Sequence, residues 1–205
     1  MDGTGPATAF QGMLMMLSLI VAIGAQNTFL LRQGLRHAAV TPLVLICWLS
    51  DCALVLIGVS GLGAVVDRVP YAMTVIRIVG ALVLLGYAAL AIRRAVRGES
   101  LDLEGASGRR TTLSAIGTCL AITWLNPHVY LDTVLMVGAV ANSHGSPGRW
   151  WFAVGTLIGS LGWFAALGYG ARLLRPLFRK QRAWRILDSL IAAIMISTAA
   201  KLLLS

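Results

Sequence analysis

The sequence predicts an all-α integral membrane protein in which six transmembrane helices form two inverted three-helix repeats, with both termini outside. Three observations predict this fold: an apolar composition, six long apolar runs, and a weak similarity between the two halves of the chain. Hydrophobic residues make up 58% of the 205 residues and charged residues only 12%, whereas roughly a quarter of the residues in a soluble domain are charged. The mean hydropathy is +0.80.

The six apolar runs have the length of membrane-spanning helices, which need about 20 apolar residues each. They are predicted to form helices over residues 7–31, 40–66, 71–92, 113–141, 150–174 and 185–204. The first residues contain no Lys or Arg, which the start of a signal peptide requires, so the first run is predicted to be a retained helix. The cysteines lie within apolar runs without a CxxC pair and are predicted to be packing residues: Cys47, Cys52 and Cys119.

The distribution of positive charge predicts the orientation of the helices. The loops after helices one, three and five carry 13 Lys and Arg residues, whereas the opposite side carries only Arg68, Arg149 and Lys201. By the positive-inside rule, the odd-numbered loops are cytoplasmic and both termini are outside. The net charge of +9 is therefore explained by the basic cytoplasmic loops, which can also contact anionic membrane lipids. A nucleic-acid partner is not predicted.

The two halves of the chain resemble each other weakly but in the same order. IGAQN at residues 23–27 aligns with ITWLN at 122–126, and Ser50 and Ser160 occupy matching positions on helices two and five. A repeated unit with an odd number of helices places its copies in opposite orientations, and the ligand site of such folds lies near the midplane where broken helices meet. The chain is thus predicted to be a single transmembrane domain, with repeats at residues 1–100 and 101–205. Close helix packing is predicted at six glycines: Gly58, Gly61, Gly63, Gly155, Gly159 and Gly162.

Charged side chains at membrane depth are candidate functional residues, because a charge at mid-bilayer costs about 3 kcal/mol on insertion scales. Asp51 lies near the centre of helix two without a partner at helical spacing. It is predicted to meet a cation or a proton, and a structural ion pair with Arg77 is the alternative. Asp188, near the start of helix six and close to Arg182 and Arg185, is predicted to have a structural role with local pairing.

The stretch TWLNPHVYLD at residues 123–132 interrupts the fourth apolar run with polar residues. Pro127 removes a backbone donor and clashes with the preceding turn, and the carbonyls freed near Thr123 then need other partners. A break at Asn126-Pro127 is therefore the strongest indication of a binding site in the sequence, and an ordinary packing kink is the alternative. Asp132 adds a carboxylate farther along the same stretch.

Two stretches together resemble the LysE-type lysine and arginine exporter family of bacteria: AIGAQNTFLLRQGLRHAAV at 22–40 and TWLNPHVYLDTVLMVGA at 123–139. The stretches SDCALVLIGVSGLG, WFAALGYGA and WRILDSLIA support the resemblance, which covers the whole chain. Exporters of the wider superfamily have a Pro-Gly-Pro turn where this chain has GAQN at 24–27, and that difference matches the branch for basic amino acids. The resemblance implies export of L-lysine or L-arginine from the cytoplasm, across the bacterial inner membrane.

A site can be predicted for such a substrate from the residues above. Export of a cation from a negative-inside cell costs about 2.3 kcal/mol per 100 mV, so uphill export requires coupling, most simply to protons. Asp51 is predicted to bind either a proton or the substrate, with Asp132 assisting. The predicted substrate-binding residues are Gln26, Asn27, Asp51, Asn126, Pro127 and Asp132. The accessory candidates are Trp48, Trp124, His128, Tyr130 and Trp163. The tryptophans are predicted to be mostly packing residues, with a wall beside a cationic substrate as the alternative, and His128 is predicted to be a satisfied hydrogen-bonding group rather than a proton relay.

Other functions are weighed against this one. GVSG at 58–61 matches the GxSG of rhomboid proteases, but residues 185–204 contain no histidine that could serve as the base. No GxxxxGK[ST] nucleotide motif is present, and no catalytic residue, metal or cofactor is expected. An exporter of another amino acid or small cation and a passive channel remain the alternatives. The choice between lysine and arginine, the coupling ion and assembly into a homo-oligomer stay open.

Overall fold

The computed structural model describes residues 5–21, 24–36, 39–61, 70–97, 109–174, 176 and 181–204, and within these ranges the regular structure is helical. The elements in chain order are α1 (Gly5–Ile20), α2 (Ala25–Arg36), α3 (Val40–Val59), α4 (Pro70–Arg97), α5 (Arg109–Trp124), α6 (Pro127–Val129), a π-helix (Tyr130–Val137), α7 (Gly138–Ser143), α8 (Gly145–Leu174) and α9 (Gln181–Leu204).

Within the described residues, four helices are long and apolar enough to cross a membrane: α3, most of α4, α8 and most of α9. A fifth crossing results if α1 and α2, which are bent by 85° relative to each other, are counted as one span. The apolar part of α5, Thr112–Trp124, is shorter than a full span. The fold is thus an all-helical multi-pass membrane protein, and the number of six spans stays a prediction.

Two of the six predicted spans are interrupted. In the predicted span 113–141, α5 ends at Trp124 and α6 begins at Pro127, which confirms the predicted break at Asn126-Pro127. The predicted span 7–31 is interrupted at the GAQN stretch that pairs with the second half's break, because α1 ends at Ile20 and α2 begins at Ala25. We call the interruption between Ile20 and Ala25 the first break, and Leu125 with Asn126 the second break. The end predicted for the second span, at residue 66, lies outside the described residues.

Helices of the first half of the chain pack against helices of the second half. The helix α1 packs along α8, α4 packs along α9, and α3 contacts α5, the π-helix and α8. Cys47 on α3 and Cys119 on α5 are buried, and their sulfur atoms are 3.3 Å apart. The largest fully buried side chains are Phe29, Phe152 and Phe164.

Glycines let some of these helices approach closely. The predicted close packing is confirmed at Gly58, Gly155 and Gly159: a Cβ on Gly155 would overlap the backbone of α1, and one on Gly58 would lie 2.5 Å from a carbonyl oxygen of the π-helix. The prediction was wrong at Gly61 and Gly162, where an added Cβ would meet no atom within 4 Å. Gly61 instead follows the end of α3 with a φ of +84°, a conformation that favours glycine. Gly63 lies outside the described residues.

A buried charge cluster joins three helices from both halves of the chain. Arg32 on α2 donates a hydrogen bond to the Asp188 carboxylate on α9, and Arg94 on α4 places its Nε 3.5 Å from the same oxygen. Arg32 and Asp188 are only 3% and 4% exposed. The guanidinium of Arg94 lies 5.5 Å from the centre of the Tyr87 ring. The cluster therefore ties α2 to α4 and α9.

The partners of Asp188 correct the sequence prediction. Asp188 was expected to pair with Arg182 or Arg185 of its own helix. Those two arginines lie on the exposed side of α9, whereas Asp188 lies on the buried side that packs against α4 and α2. The carboxylate therefore pairs across the interface, and Arg32, counted above among the loop charges, is a buried residue of α2.

Replacing Asp188 with Asn is expected to destabilise the protein. The change leaves two guanidinium groups without a carboxylate, and loss of one partner from a buried ion pair costs about 3 kcal/mol or more. We expect a clearly lower thermal unfolding midpoint in detergent micelles. The Arg94→Gln variant should lose less, because that side chain is 21% exposed. The double variant Arg32→Gln/Asp188→Asn should recover part of the loss, and an unchanged midpoint for Asp188→Asn would contradict the stabilising role.

Two glycines of α8 provide a matched test of the helix packing. Gly155→Ala should lower the unfolding midpoint, since the added methyl group meets the α1 backbone and overpacking typically costs about 2 kcal/mol. Gly162→Ala has open space around it and should leave the midpoint unchanged or raise it, because alanine favours a helix over glycine. Equal midpoints for the two variants would refute the close contact between α1 and α8.

Candidate functional site

The first break is closed by side chains of α2. Asn27 donates from Nδ2 to the Ile20 carbonyl at 2.6 Å, and thereby joins the last residue of α1 to the first turn of α2. Thr28 donates to the Gly24 carbonyl through both its hydroxyl, at 2.6 Å, and its backbone N–H, at 3.0 Å. Trp163 of α8 donates from its ring nitrogen to the Asn27 amide oxygen at 3.4 Å. The Asn27 side chain is thus engaged in holding the break together.

The second break is closed in a similar way by the residues that follow it. The Asn126 side chain accepts a hydrogen bond from the His128 backbone N–H at 3.2 Å, and so caps α6, which begins at Pro127. The Tyr130 hydroxyl donates to the Trp124 carbonyl at 2.7 Å. The Thr123 carbonyl, which the sequence predicted to be freed near Pro127, accepts from the Asn126 N–H at 3.3 Å.

Both breaks border one cavity of about 390 Å³. Its polar lining comes from both halves of the chain: Gln26, Asn27, Asp51, Asn126, His128, Asp132, Thr133, Thr198 and Lys201. Five of the six residues predicted to bind substrate are in this lining, and the sixth, Pro127, lies between two of them at the start of α6. Residues that are almost 100 positions apart in the sequence thus come together at one cavity.

The two carboxylates of the cavity have different surroundings. Asp51, near the middle of α3, is 4% exposed, and its Oδ2 accepts a hydrogen bond from the Ser160 hydroxyl of α8 at 2.5 Å. Asp132 is half-buried and lies in the π-helix, a rare conformation that frequently occurs at functional sites. The side chain of Arg77, the alternative partner of Asp51, lies outside the described side chains.

Hydrogen-bond donors for an anion are concentrated at the first break. The helix α2 starts at the cavity wall with Ala25 and Gln26, and the first N–H groups of a helix have no acceptor within that helix. The Gln26 Nε2 is buried without a nitrogen or oxygen acceptor among the described residues, and the Cys47 thiol beside it is only a weak acceptor. At the second break, by contrast, the N–H groups of His128 and Val129 are taken up by Asn126.

Most of the predicted accessory aromatic residues lie outside the cavity lining and donate hydrogen bonds to neighbouring residues. Trp48 donates to the Leu157 carbonyl at 3.1 Å, and Trp124 donates to the Ser50 hydroxyl at 3.1 Å. None of Trp48, Trp124, Tyr130 and Trp163 is in the described lining of the cavity, and each donates a hydrogen bond to another residue of the protein. His128, the remaining candidate, does line the cavity.

Sequence reasoning missed three polar residues of the lining, Thr133, Thr198 and Lys201. Lys201 was counted among the loop charges of the outer side, although it lies within α9. Thr198 and Lys201 are three positions apart and therefore share one face of the helix. That polar spacing in an otherwise apolar run was a signal that a search for intramembrane polar pairs would have found.

Comparisons with known proteins match almost the whole chain. The family model described as LysE type translocator matches residues 17–205. A putative amino-acid transporter of Mycobacterium bovis is 45% identical over 190 residues, which cover 93% of this chain and 94% of the relative. No solved structure matches the chain.

Two further relatives carry more specific names. The lysine exporter LysE of Corynebacterium diphtheriae is 35% identical, and the match covers 96% of this chain and 98% of the relative. The arginine exporter protein ArgO of an Enterobacter species is 34% identical, with 91% and 88% covered. The family match and these identities over nearly full length agree with one another. The chain therefore belongs to the LysE type translocator family.

Proposed function

We propose that the protein exports L-lysine or L-arginine from the cytoplasm across the bacterial plasma membrane, in exchange for protons. The observation that carries the proposal is a cavity whose lining includes residues of both helix breaks and two carboxylates. Its volume of about 390 Å³ lies within the range of roughly 300–1,000 Å³ that small-ligand pockets occupy. The relatives named lysine exporter and arginine exporter support a basic amino acid as the substrate.

The chemistry of the cavity suits the two ends of such a substrate. Asp51 and Asp132 provide negative charge for the cationic side chain and the α-ammonium group. The start of α2, with the free Nε2 of Gln26, provides donors for the α-carboxylate. A helix N-terminus favours an anion through its N–H groups and its dipole, and discontinuous helices serve this purpose in other secondary transporters.

We further propose six membrane crossings in two inverted repeats, residues 1–100 and 101–205, with both termini outside. The first crossing consists of α1 and α2, and the fourth consists of α5, α6, the π-helix and α7. The other four crossings are α3, α4, α8 and α9. The observed breaks support this division, because each interrupts the first helix of its half. Alternating exposure of the cavity to the two sides would then require movements that keep the packed pairs α1–α8 and α4–α9 together, because these pairs join the two halves.

Coupling to protons is assigned to Asp51, with Asp132 as helper. Asp51 is buried at the cavity, and among the described residues it has one hydrogen-bond donor, Ser160, and no cationic partner. A carboxylate in that setting is neutralised either by a proton or by the cationic substrate. If the two compete for Asp51, a proton enters as the amino acid leaves, and the proton gradient drives export against the membrane potential.

Replacing Asp51 with Asn is expected to abolish proton-driven export. The variant keeps the size of the side chain and loses the group that titrates. Efflux of labelled lysine and arginine from proteoliposomes under imposed pH and voltage gradients should fall by at least about ten-fold, which corresponds to about 1.4 kcal/mol. Asp51→Glu, which keeps the carboxylate, should retain part of the activity. Unchanged pH-driven efflux in Asp51→Asn would refute the assigned role.

The same vesicles distinguish an exporter from a passive channel. The wild-type protein should concentrate lysine against its gradient when a pH gradient is imposed, since substrate and proton movement are coupled. A channel would carry lysine only down its electrochemical gradient, at all imposed pH differences. That result would refute the proposed coupled export.

Replacing Gln26 with Met should weaken substrate binding. The variant removes the free Nε2 donor while keeping a flexible side chain of similar length. A hydrogen bond to a charged group is worth about 1.5–3 kcal/mol, so the KM for lysine should rise about ten-fold or more. Gln33→Met, on the same helix but away from the described cavity lining, is the control. Equal KM values for the two variants would exclude Gln26 from the site.

A further inference from the structure

The cavity contains a third charged side chain, the ammonium group of Lys201. Lys201 lies near the end of α9 and lines the cavity together with Asp51 and Asp132. Its side chain is exposed and is not enclosed by the packing of α9. Among the described residues, no ion pair joins Lys201 to either carboxylate. The lysine thus lies at a site for a basic amino acid, where a cation would ordinarily be unfavourable.

The charges of the cavity and of the proposed substrate are complementary. Lysine and arginine each carry two positive groups and one negative group at neutral pH. The wall of the cavity carries two carboxylates, Asp51 and Asp132, and one ammonium group, Lys201. Ion pairing of every group leaves neither partner with an uncompensated charge, which would be costly away from water.

We propose that Lys201 binds the α-carboxylate of the substrate and thereby makes the cavity selective for basic amino acids over amines of the same length. The assignment rests on the proposed function and names a specificity-determining residue within it. The start of α2 and Gln26 supply hydrogen bonds to the carboxylate, and Lys201 supplies a full positive charge. A diamine lacks the carboxylate, so Lys201 repels it and provides no compensating contact.

Two features of α9 support this role for Lys201. The buried ion pair of Asp188 with Arg32 anchors the first part of the helix to α2, the helix that begins at the first break. Thr198, one turn before Lys201 on the same wall, already donates its hydroxyl hydrogen to the Ile194 carbonyl at 2.8 Å. Of these two polar side chains of α9, Lys201 is therefore the one that can donate to an anion.

The test compares lysine with 1,5-diaminopentane, which is lysine without its carboxylate. Efflux of labelled lysine from proteoliposomes is measured with each unlabelled compound as competitor. In Lys201→Gln, the apparent affinity for lysine should fall about ten-fold or more, whereas that for the diamine should stay the same or rise. Lys201→Arg should keep most of the discrimination. Arg172→Gln, which removes a cation that lies over the Tyr169 ring outside the described lining, should behave as the wild type.

Several outcomes would overturn the assignment to Lys201. An unchanged lysine affinity in Lys201→Gln would mean that the side chain extends to the membrane interface, as lysines near helix ends ordinarily do. A higher lysine affinity would mean that Lys201 competes with the substrate for the carboxylates, and an equal loss for lysine and diamine would mean a general effect on the cavity. Lys201→Met provides the same readout if the glutamine variant is unstable. Wild-type protein that exports neither lysine nor arginine would overturn the proposed function itself, whereas normal wild-type export with unchanged discrimination in the variants would overturn only the role of Lys201.

Discussion

The site depends on one constraint: an interrupted helix inside a membrane must find partners for the backbone groups that the interruption frees. At the first break, the Asn27 side chain satisfies the carbonyl of Ile20, and at the second break the Tyr130 hydroxyl satisfies the carbonyl of Trp124. Each solution comes from a residue just after the break, so each break is closed locally. The cavity therefore lies between two helix ends whose last carbonyls, those of Ile20 and Trp124, are both hydrogen-bonded by side chains.

The short helix α2 is held at both ends, and this connects the cavity to the packing of the whole bundle. Asn27 fixes its start at the first break, and Arg32 fixes a later turn to Asp188 of α9. The helix α9 also carries Lys201, so the helix that pairs with α2 contributes a side chain to the cavity wall as well. A movement that separates α2 from α9 must break a buried ion pair, so the cluster resists independent motion of these two helices.

The sequence predicted what depends on local chemistry and missed what depends on packing between helices. The break at Asn126-Pro127 follows from the missing donor of proline, and it was predicted correctly. The first break contains no proline, and its stability comes from Asn27 and Trp163, whose contacts only the folded structure reveals. The partners of Asp188 were missed for the same reason: spacing along one helix pointed to Arg185, but packing presents Arg32 to its buried side.

The two breaks present different polar groups to the cavity, and the two sides of the cavity therefore differ in charge and hydrogen-bonding character. The second break uses its own Asn126 to cap the helix that follows, and the π-helix beyond it adds the carboxylate of Asp132. The first break leaves the Gln26 amide as a free donor at the start of α2. Two identical repeats would present the same groups twice, whereas a basic amino acid has one anionic and two cationic groups. If the halves are the proposed repeats and the substrate is the proposed basic amino acid, the halves must have diverged, with donors at one break and a carboxylate beyond the other.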